Sequence, residues 1–181
     1  MERKLKSAII SFSALMVIIL CTILLVAQSK KHKNKSHSNP KSLMDSVLFL
    51  NKRDSIIGFA KTLLGTPYTY GSCSKDGFDC SGFVYFVFKK FNIDVSRSSY
   101  TIGEKGVEID TIDAMKGDII LFQGTDLNDP KIGHVGIVIS DKGKPIEFIH
   151  ASSSTKNNGV IVTRLDAGHY RKRFIKVIKV L

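Results

Sequence analysis

Cysteine and proline are scarce in this chain of 181 residues, which contains three of the first and four of the second. Three cysteines are too few for a disulfide-rich scaffold, and because their number is odd, at least one has no cysteine partner within the chain. The scarcity of proline, together with 43% hydrophobic residues and 14 glycines, excludes collagen-like, low-complexity and disordered chains. The composition therefore predicts either one domain with an appendage or one larger domain.

Acidic residues are also in the minority, with 16 against 27 lysines and arginines, so the formal net charge is +11. A basic excess of this size initially suggests nucleic acid, an anionic lipid surface or an acidic polymer as a partner. Residues 1–41, however, hold eight of the basic residues and one acidic residue, so they carry +7 and the other 140 residues carry only +4. This uneven distribution argues against a nucleic-acid partner and assigns most of the charge to the N-terminal segment.

The N-terminal segment contains an uncharged, mostly apolar run from Ala8 to Ala27. Its 20 residues would form a helix about 30 Å long, which matches the hydrocarbon thickness of a bilayer. We therefore expect residues 1–29 to be either a transmembrane anchor or a signal peptide cleaved near Ala27-Gln28-Ser29, with lipidation at Cys21 as a third alternative. Residues 30–41 are expected to form a basic linker.

From residue 42 onward the apolar pattern predicts helices followed by strands. Apolar residues recur at helical spacing over 43–64, with an interruption near 51–54 that predicts one broken helix or two short ones. The apolar segment 80–91 is compatible with a buried helix or with a strand. Five strand candidates follow, separated by turn residues, at 118–122, 134–140, 146–151, 160–163 and 174–181. This order predicts an α+β domain over residues 42–181, with N-terminal helices packed on an antiparallel sheet of about five strands.

Cys80, His134 and His150 are the residues best placed for covalent chemistry. Cys80 lies where a glycine-rich loop becomes the apolar segment, and at a helix N-terminus both the helix dipole and a nearby imidazolium would favour its thiolate. His134 begins one predicted strand and His150 ends the next, so a hairpin would bring them to the same end of the sheet. One imidazole would then act as the base for the thiol, and the second imidazole would orient the first through its other ring nitrogen.

Each of these residues also has a simpler interpretation. Cys80 would be a small core residue, and the histidines would be satisfied surface or core side chains. A zinc site formed by Cys73, Cys80, His134 and His150 is disfavoured because the intervals between these residues do not match structural zinc motifs. We therefore expect no metal and no cofactor.

Six short motifs occur along the domain in a specific order: Gly65-Thr-Pro-Tyr-Thr-Tyr-Gly71, Phe78-Asp-Cys-Ser-Gly-Phe83, Arg97-Ser-Ser99, Lys116-Gly-Asp118, Gly133-His-Val-Gly-Ile137 and Ile149-His-Ala151. In these motifs the chain resembles the NlpC-type cell-wall peptidases, which are papain-like cysteine peptidases of bacterial envelopes. The resemblance implies that Cys80 is the nucleophile, His134 the base and His150 the third, orienting residue of a catalytic triad.

The resemblance also implies a substrate cleft. Tyr68 matches a family tyrosine whose hydroxyl lies beside the nucleophile and helps to bind substrate or the oxyanion. The resemblance also implies that the following residues line the cleft: Asp79, Ser81, Arg97 and Ser99. The alternatives are a helix cap for Asp79 or Ser81 and a surface ion pair for Arg97.

The implied activity is hydrolysis of the bond between γ-D-glutamate and a diamino acid, usually diaminopimelate, in peptidoglycan stem peptides, through a thioester. We expect a monomer that acts in the cell envelope, with its domain outside the cytoplasmic membrane. The alternative is a catalytically silent or redox-controlled peptidoglycan-binding module that uses the same cleft. Cys73 motivates the redox version, since a Cys73–Cys80 disulfide would inactivate the nucleophile. Ser72 and Ser96 depart from the family pattern and leave the substrate preference open.

Overall fold

The computed structural model describes residues 40–181, in which Ser46–Leu181 form a compact unit. The segment expected to be a signal peptide or anchor, and most of the expected linker, lie outside the described residues. Within residues 40–181, no helix is both long enough and apolar enough to span a membrane.

The first described element is helix α1 (Pro40–Lys61), which begins inside the segment that was expected to be linker. The predicted interruption near residues 51–54 is wrong, because α1 is continuous. Its buried positions Arg53, Ile56, Ile57 and Ala60 repeat at helical spacing. A charged residue at a buried position of this repeat therefore explains the apparent interruption in the apolar pattern.

The remaining helices are short, and one of them carries Cys80. Helix α2 (Cys80–Lys89) confirms the helical alternative for the apolar segment 80–91. A two-stranded antiparallel ribbon, β1 (Cys73–Ser74) and β2 (Gly77–Phe78), leads directly into α2. Two further helices of the described chain are α3 (Ser99–Lys105) and α4 (Gly168–Arg173).

An antiparallel sheet of six strands forms the centre of the fold. Its strands are β3 (Val107–Ile109), β4 (Ile119–Gln123), β5 (Ile132–Val138), β6 (Glu147–Ser153), β7 (Asn158–Arg164) and β8 (Phe174–Lys179). Their order across the sheet is β3-β8-β4-β5-β6-β7. The five predicted strands are confirmed, but the sheet has a sixth, β3, which pairs with β8 at the edge. This strand has only three residues and mostly exposed side chains, so it lacks the apolar pattern by which strands are predicted.

The two faces of the sheet contribute to two different apolar clusters. Ile119 and Leu121 of β4 pack in the cluster that includes α1 and α2, whereas Ile120 and Phe122 pack in a second cluster with Phe148. Because successive side chains of a strand point to opposite faces, a strand covered on both sides is apolar throughout. Helix α2 contacts β5 and β6, and it therefore packs against the two strands that carry His134 and His150.

Candidate active site

Asp79 fixes the start of α2 and thereby the position of Cys80, which is the first residue of that helix. The Asp79 carboxylate accepts a hydrogen bond from the Gly82 N–H at 2.6 Å, as the side chain of an N-cap residue does. A Cβ at Gly82 would lie 2.1 Å from the Ser72 carbonyl oxygen, so only glycine fits there. The cap and this close backbone contact hold the start of α2 against the preceding loop.

Arg97 links several groups at the same helix start. Its guanidinium donates to both Asp79 carboxylate oxygens, at 2.8 and 2.7 Å, and to the Ser81 hydroxyl at 2.9 Å. It also donates to the Ser72 carbonyl at 3.0 Å. Asp79, Ser81 and Arg97 therefore form one network, as expected if they serve as a helix cap and an ion pair.

A cavity of about 740 Å³ opens beside Cys80. Tyr68, Cys80 and His134 line it, and His150 lies fully buried behind His134. Within the described residues, the other expected cleft residues are not among those that line this cavity: Asp79, Ser81, Arg97 and Ser99. The structure thus separates the residues at the cavity from Asp79, Ser81 and Arg97 at the helix start, and Ser99 begins a different helix, α3.

Tyr68 is held at the cavity by backbone contacts with two distant segments. Its N–H donates to the side-chain oxygen of Asn158 at 3.0 Å, and it forms an isolated β-bridge with Phe78. Burial, followed by the charge of Cys80, raises the pKa of its hydroxyl. The Tyr68 hydroxyl is therefore a protonated hydrogen-bond donor at neutral pH.

His134 and His150 form a hydrogen-bonded pair on adjacent strands. Nε2 of His134 lies 2.9 Å from Nδ1 of His150, and Nε2 of His150 lies 3.0 Å from the Thr163 hydroxyl oxygen. The absence of a side chain at Gly136 leaves room for this pair, since a Cβ there would lie 3.2 Å from the His150 Cβ and 2.8 Å from a ring carbon of Phe148. Because Nε2 of His134 is engaged by His150, Nδ1 is the ring nitrogen of His134 that remains available.

Burial keeps both imidazoles neutral. It is the main reason that the pKa of His134 lies well below its usual value, and His150 and Arg173 lower that pKa further. Burial, followed by the charge of Arg173, lowers the pKa of His150 to about 3. Each ring can therefore donate from one nitrogen and accept at the other, so the two histidines and Thr163 can form a directional chain.

The thiol of Cys80 is also favoured in its neutral form. Its pKa is raised by burial and then by the Asp79 carboxylate, although the backbone N–H groups of Ser81 and Val135 act in the opposite direction. Burial of the thiol therefore opposes the thiolate that a helix N-terminus and a nearby imidazolium would favour. A neutral thiol and a neutral base can still react if the proton moves to His134 as the sulfur attacks.

Comparison with known proteins identifies the fold. The sequence model of the NlpC/P60 family matches residues 65–179, which is most of the described chain. The chain belongs to the NlpC/P60 family. A solved structure of an NlpC/P60 family protein from Bacillus cereus ATCC 10987 superposes with a TM-score of 0.63 at 29% identity, over 71% of this chain and 40% of that one.

Two curated relatives of this NlpC/P60 chain have names that specify peptide bonds. One is the murein DD-endopeptidase MepS/murein LD-carboxypeptidase of Escherichia coli K12, 33% identical over 118 residues that cover 65% of this chain and 57% of the relative. The other is a γ-D-glutamyl-L-lysine dipeptidyl-peptidase of Bacillus cereus, 36% identical over 88 residues that cover 49% of this chain and 26% of the relative. The matched segments thus span little more than half of the first relative and about a quarter of the second.

Cys73 lies outside the cavity of the NlpC/P60 domain. It belongs to β1, where it pairs with Phe78, and the structure holds Cys73 and Cys80 as free thiols. Cys21, at which lipidation was the third alternative, lies outside the described residues. Redox control through a Cys73–Cys80 disulfide remains a prediction.

Several polar side chains at the site were not assigned a role from the sequence, among them Thr163, His169, Tyr170 and Arg173. The Tyr170 ring packs against the rings of His134 and His150, with centroid distances of 5.9 and 5.1 Å. Helix α4 reaches the NlpC/P60 site because it directly precedes β8, which pairs with β4 in the sheet. The run Gly168-His-Tyr-Arg171 is rich in polar rings, but its sequence contains no sign of this pairing.

Proposed function

We propose that this chain is a cysteine peptidase that hydrolyses peptidoglycan stem peptides, and that its domain acts in the cell envelope. One observation carries the proposal: Cys80, at the start of a buried helix, shares a cavity with His134, whose Nε2 lies 2.9 Å from Nδ1 of His150. A nucleophile, a base and an orienting group are the components that thiol-dependent acyl transfer requires. The names of the murein and γ-D-glutamyl relatives support the substrate class.

In this mechanism the Cys80 sulfur attacks the amide carbonyl carbon as Nδ1 of His134 accepts the thiol proton. His134 then gives that proton to the leaving amine as the carbon–nitrogen bond breaks, which leaves a thioester on Cys80. A water molecule, deprotonated by the same imidazole, hydrolyses the thioester and regenerates the thiol. His150 accepts from the Nε2–H of His134, and its own Nε2–H donates to the Thr163 hydroxyl, so His134 keeps the tautomer in which Nδ1 is the base.

The oxyanion that forms during attack is stabilised by the backbone N–H groups at the start of α2 and by the Tyr68 hydroxyl. The Asp79 cap fixes the N–H groups of the helix start before the reaction, so they need no reorganisation as charge develops, and the backbone contacts of Tyr68 hold this residue at the cavity. Removal of one oxyanion donor typically lowers the rate by about 100-fold or more.

For the scissile bond we propose the γ-D-glutamyl bond to the diamino acid, usually diaminopimelate. The Bacillus cereus relative is named for the corresponding bond to L-lysine, whereas the Escherichia coli relative is named for DD- and LD-peptide bonds. The identity of the bond therefore needs a test of its own, separate from the test of the nucleophile.

Digestion of purified muropeptides with the full-length chain, followed by mass spectrometry, tests the bond directly. We expect one fragment that ends in γ-D-glutamate and a second that begins with the free amine of the diamino acid. Cleavage only at D-alanyl bonds would support a peptidase but overturn the bond assignment. If neither diaminopimelate nor lysine stems gave products in the presence of a reducing agent, the chain would be a binding module instead.

The rate of hydrolysis is expected to stay nearly constant as the pH falls from about 8 to about 5.5, a range over which an ordinary histidine becomes protonated. The reason is that the pKa of His134 lies well below its usual value, so the base stays neutral, while the raised pKa of Cys80 preserves the thiol at higher pH. Activity should be lost only when the pH approaches the lowered pKa of His134. The pH profile of kcat/KM measures this, and an acid limb centred near about 6.5 would contradict it.

Thr163→Val is expected to lower kcat by about tenfold with a smaller change in KM, because the Nε2–H of His150 loses its acceptor at a nearly isosteric position. Thr163→Ser retains the hydroxyl and should recover most of the rate, which distinguishes the hydrogen bond from packing. Steady-state kinetics of both variants on one muropeptide gives the kcat and KM values that test this prediction. Equal rates for the valine and serine variants would show that Thr163 does not act through His150.

A further inference from the structure

Arg173 is a buried cation that has no acidic partner among residues 40–181. It is the last residue of α4, only 5% of its surface is exposed, and it lines the same cavity as Cys80 and His134. Buried arginines are normally paired with carboxylates, because an uncompensated buried charge is costly. Arg53 follows this rule, with its guanidinium 2.9 Å from the Asp118 carboxylate. For Arg173, no Asp or Glu within residues 40–181 lies at ion-pair distance.

The groups that hold Arg173 in place are neutral and use only part of its hydrogen-bonding capacity. Nε and one terminal nitrogen donate to the Gln123 carbonyl at 3.0 and 2.7 Å, and the other terminal nitrogen donates to Nε2 of His169 at 2.8 Å. A guanidinium has five N–H hydrogens, so three are used and two remain, one on each terminal nitrogen. Two donors therefore remain for a further acceptor, and a carboxylate would accept a charge-assisted hydrogen bond while supplying the missing negative charge.

Arg173 lies on the side of the site occupied by the imidazoles. Its guanidinium carbon is 5.8 Å from the Tyr170 ring, which in turn packs against the rings of His134 and His150. In the proposed mechanism His134 protonates the leaving amine, so the leaving part of the substrate must reach the imidazole. An acidic group close to that amine would therefore lie near Arg173.

We propose that Arg173 binds a free carboxylate of the amino acid that leaves as the amine, and that it thereby selects the substrate. This inference rests on the proposed peptidase function. Two carboxylates have the required chemistry: the C-terminal carboxylate of a stem that ends at the diamino acid, and the side-chain carboxylate of diaminopimelate. A fixed, desolvated guanidinium distinguishes either of them from an amide, because an amide cannot compensate the buried charge.

Three synthetic γ-D-glutamyl peptides test this inference with the full-length chain. In the first peptide, the residue after the cleaved bond is a lysine with a free C-terminal carboxylate. The second peptide has the same lysine as a C-terminal amide. In the third, diaminopimelate replaces lysine, and only its side-chain carboxylate is free. We expect KM to be about 10- to 100-fold lower for a peptide that carries the recognised carboxylate than for the amide, with kcat little changed. The peptide with the low KM identifies the carboxylate.

Arg173→Gln is expected to remove this difference in KM while the amide peptide is still hydrolysed, and Arg173→Lys should retain part of it. Arg171→Gln is the matched control, since Arg171 lies in the same helix but is exposed and does not line this cavity. The inference would be overturned if the unmutated chain showed equal KM values for all three peptides. It would also be overturned if a folded Arg173→Gln variant kept the full difference.

A second readout separates this inference from the proposed function. The affinities of Cys80→Ala for the same peptides can be measured by titration calorimetry without any hydrolysis. If the unmutated chain cleaves none of the peptides, the proposed function fails, but a carboxylate-dependent affinity that is lost in Cys80→Ala/Arg173→Gln still supports the binding site. Equal affinities for the acid and amide peptides would overturn it.

Discussion

Cys80→Ala is expected to lower the rate of muropeptide hydrolysis by about four orders of magnitude or more, since loss of the nucleophile costs on the order of 10⁶-fold in subtilisin. Among the described residues that line the cavity, Cys80 is the only one with a thiol, so no neighbouring side chain can replace it. Alanine is a good helix former and smaller than cysteine, and the Asp79 cap does not involve the Cys80 side chain. The fold should therefore persist, and initial rates from chromatographic assays measure the chemical step.

Cys73→Ala is the matched control for this substitution. Cys73 is also a free, partly buried thiol, but it lies in β1 outside the residues that line the cavity. Under reducing conditions its variant should hydrolyse muropeptides at the parental rate. Under oxidising conditions, a higher rate for Cys73→Ala than for the parent would support the Cys73–Cys80 disulfide. A Cys80→Ala rate within about tenfold of the parent would exclude covalent catalysis by Cys80.

The positions of Cys80, His134 and His150 in the fold were predictable because their signals are local. Cys80 follows an aspartate and begins an apolar run, which is the pattern of a capped helix start. His134 and His150 lie at the ends of two apolar runs joined by a turn at Gly143, whose positive φ of 74° suits glycine. A hairpin then brings the two histidines together, and the structure places their nitrogens 2.9 Å apart.

The other polar contacts at the site were not predictable because each joins segments that are distant in the chain. Arg173 reaches Gln123 only because β8 pairs with β4, and Thr163 reaches His150 only because β7 pairs with β6. The apolar pattern predicts that these strands exist, but it does not specify which strands are neighbours or which polar side chains meet. Residue types alone therefore suggest the candidate nucleophile and base more readily than the candidate groups that would orient them or bind substrate.

Arg53 illustrates the same limit in the core. As a charged residue among polar neighbours, it suggested a break in α1, whereas it occupies a fully buried position of a continuous helix. Its burial depends on Asp118, which is 65 positions away in the chain. The apolar pattern of α1 carries no sign of this long-range ion pair, so the sequence alone does not indicate that Arg53 is buried.

Asp118→Ala is expected to lower the free energy of unfolding by about 3–5 kcal/mol, the usual cost of removing one member of a buried ion pair. The Arg53 guanidinium and the Asp118 carboxylate are 0% and 1% exposed and lie 2.9 Å apart, so the substitution leaves a buried cation unpaired. It also removes the acceptor for the Met115 N–H, which the carboxylate binds at 2.9 Å. Urea unfolding followed by circular dichroism suits this chain, which has no tryptophan.

The double variant Arg53→Met/Asp118→Ala tests whether the unpaired charge causes the loss. Because replacement of a whole buried ion pair by apolar side chains is often close to neutral, the double variant should recover most of the stability that the single variant loses. Asp166→Ala is the matched control, since it breaks the exposed ion pair with Arg164 and should change stability little. If Asp118→Ala were no more destabilising than Asp166→Ala, or if the double variant were less stable than Asp118→Ala, the burial of an unpaired charge would not be the cause.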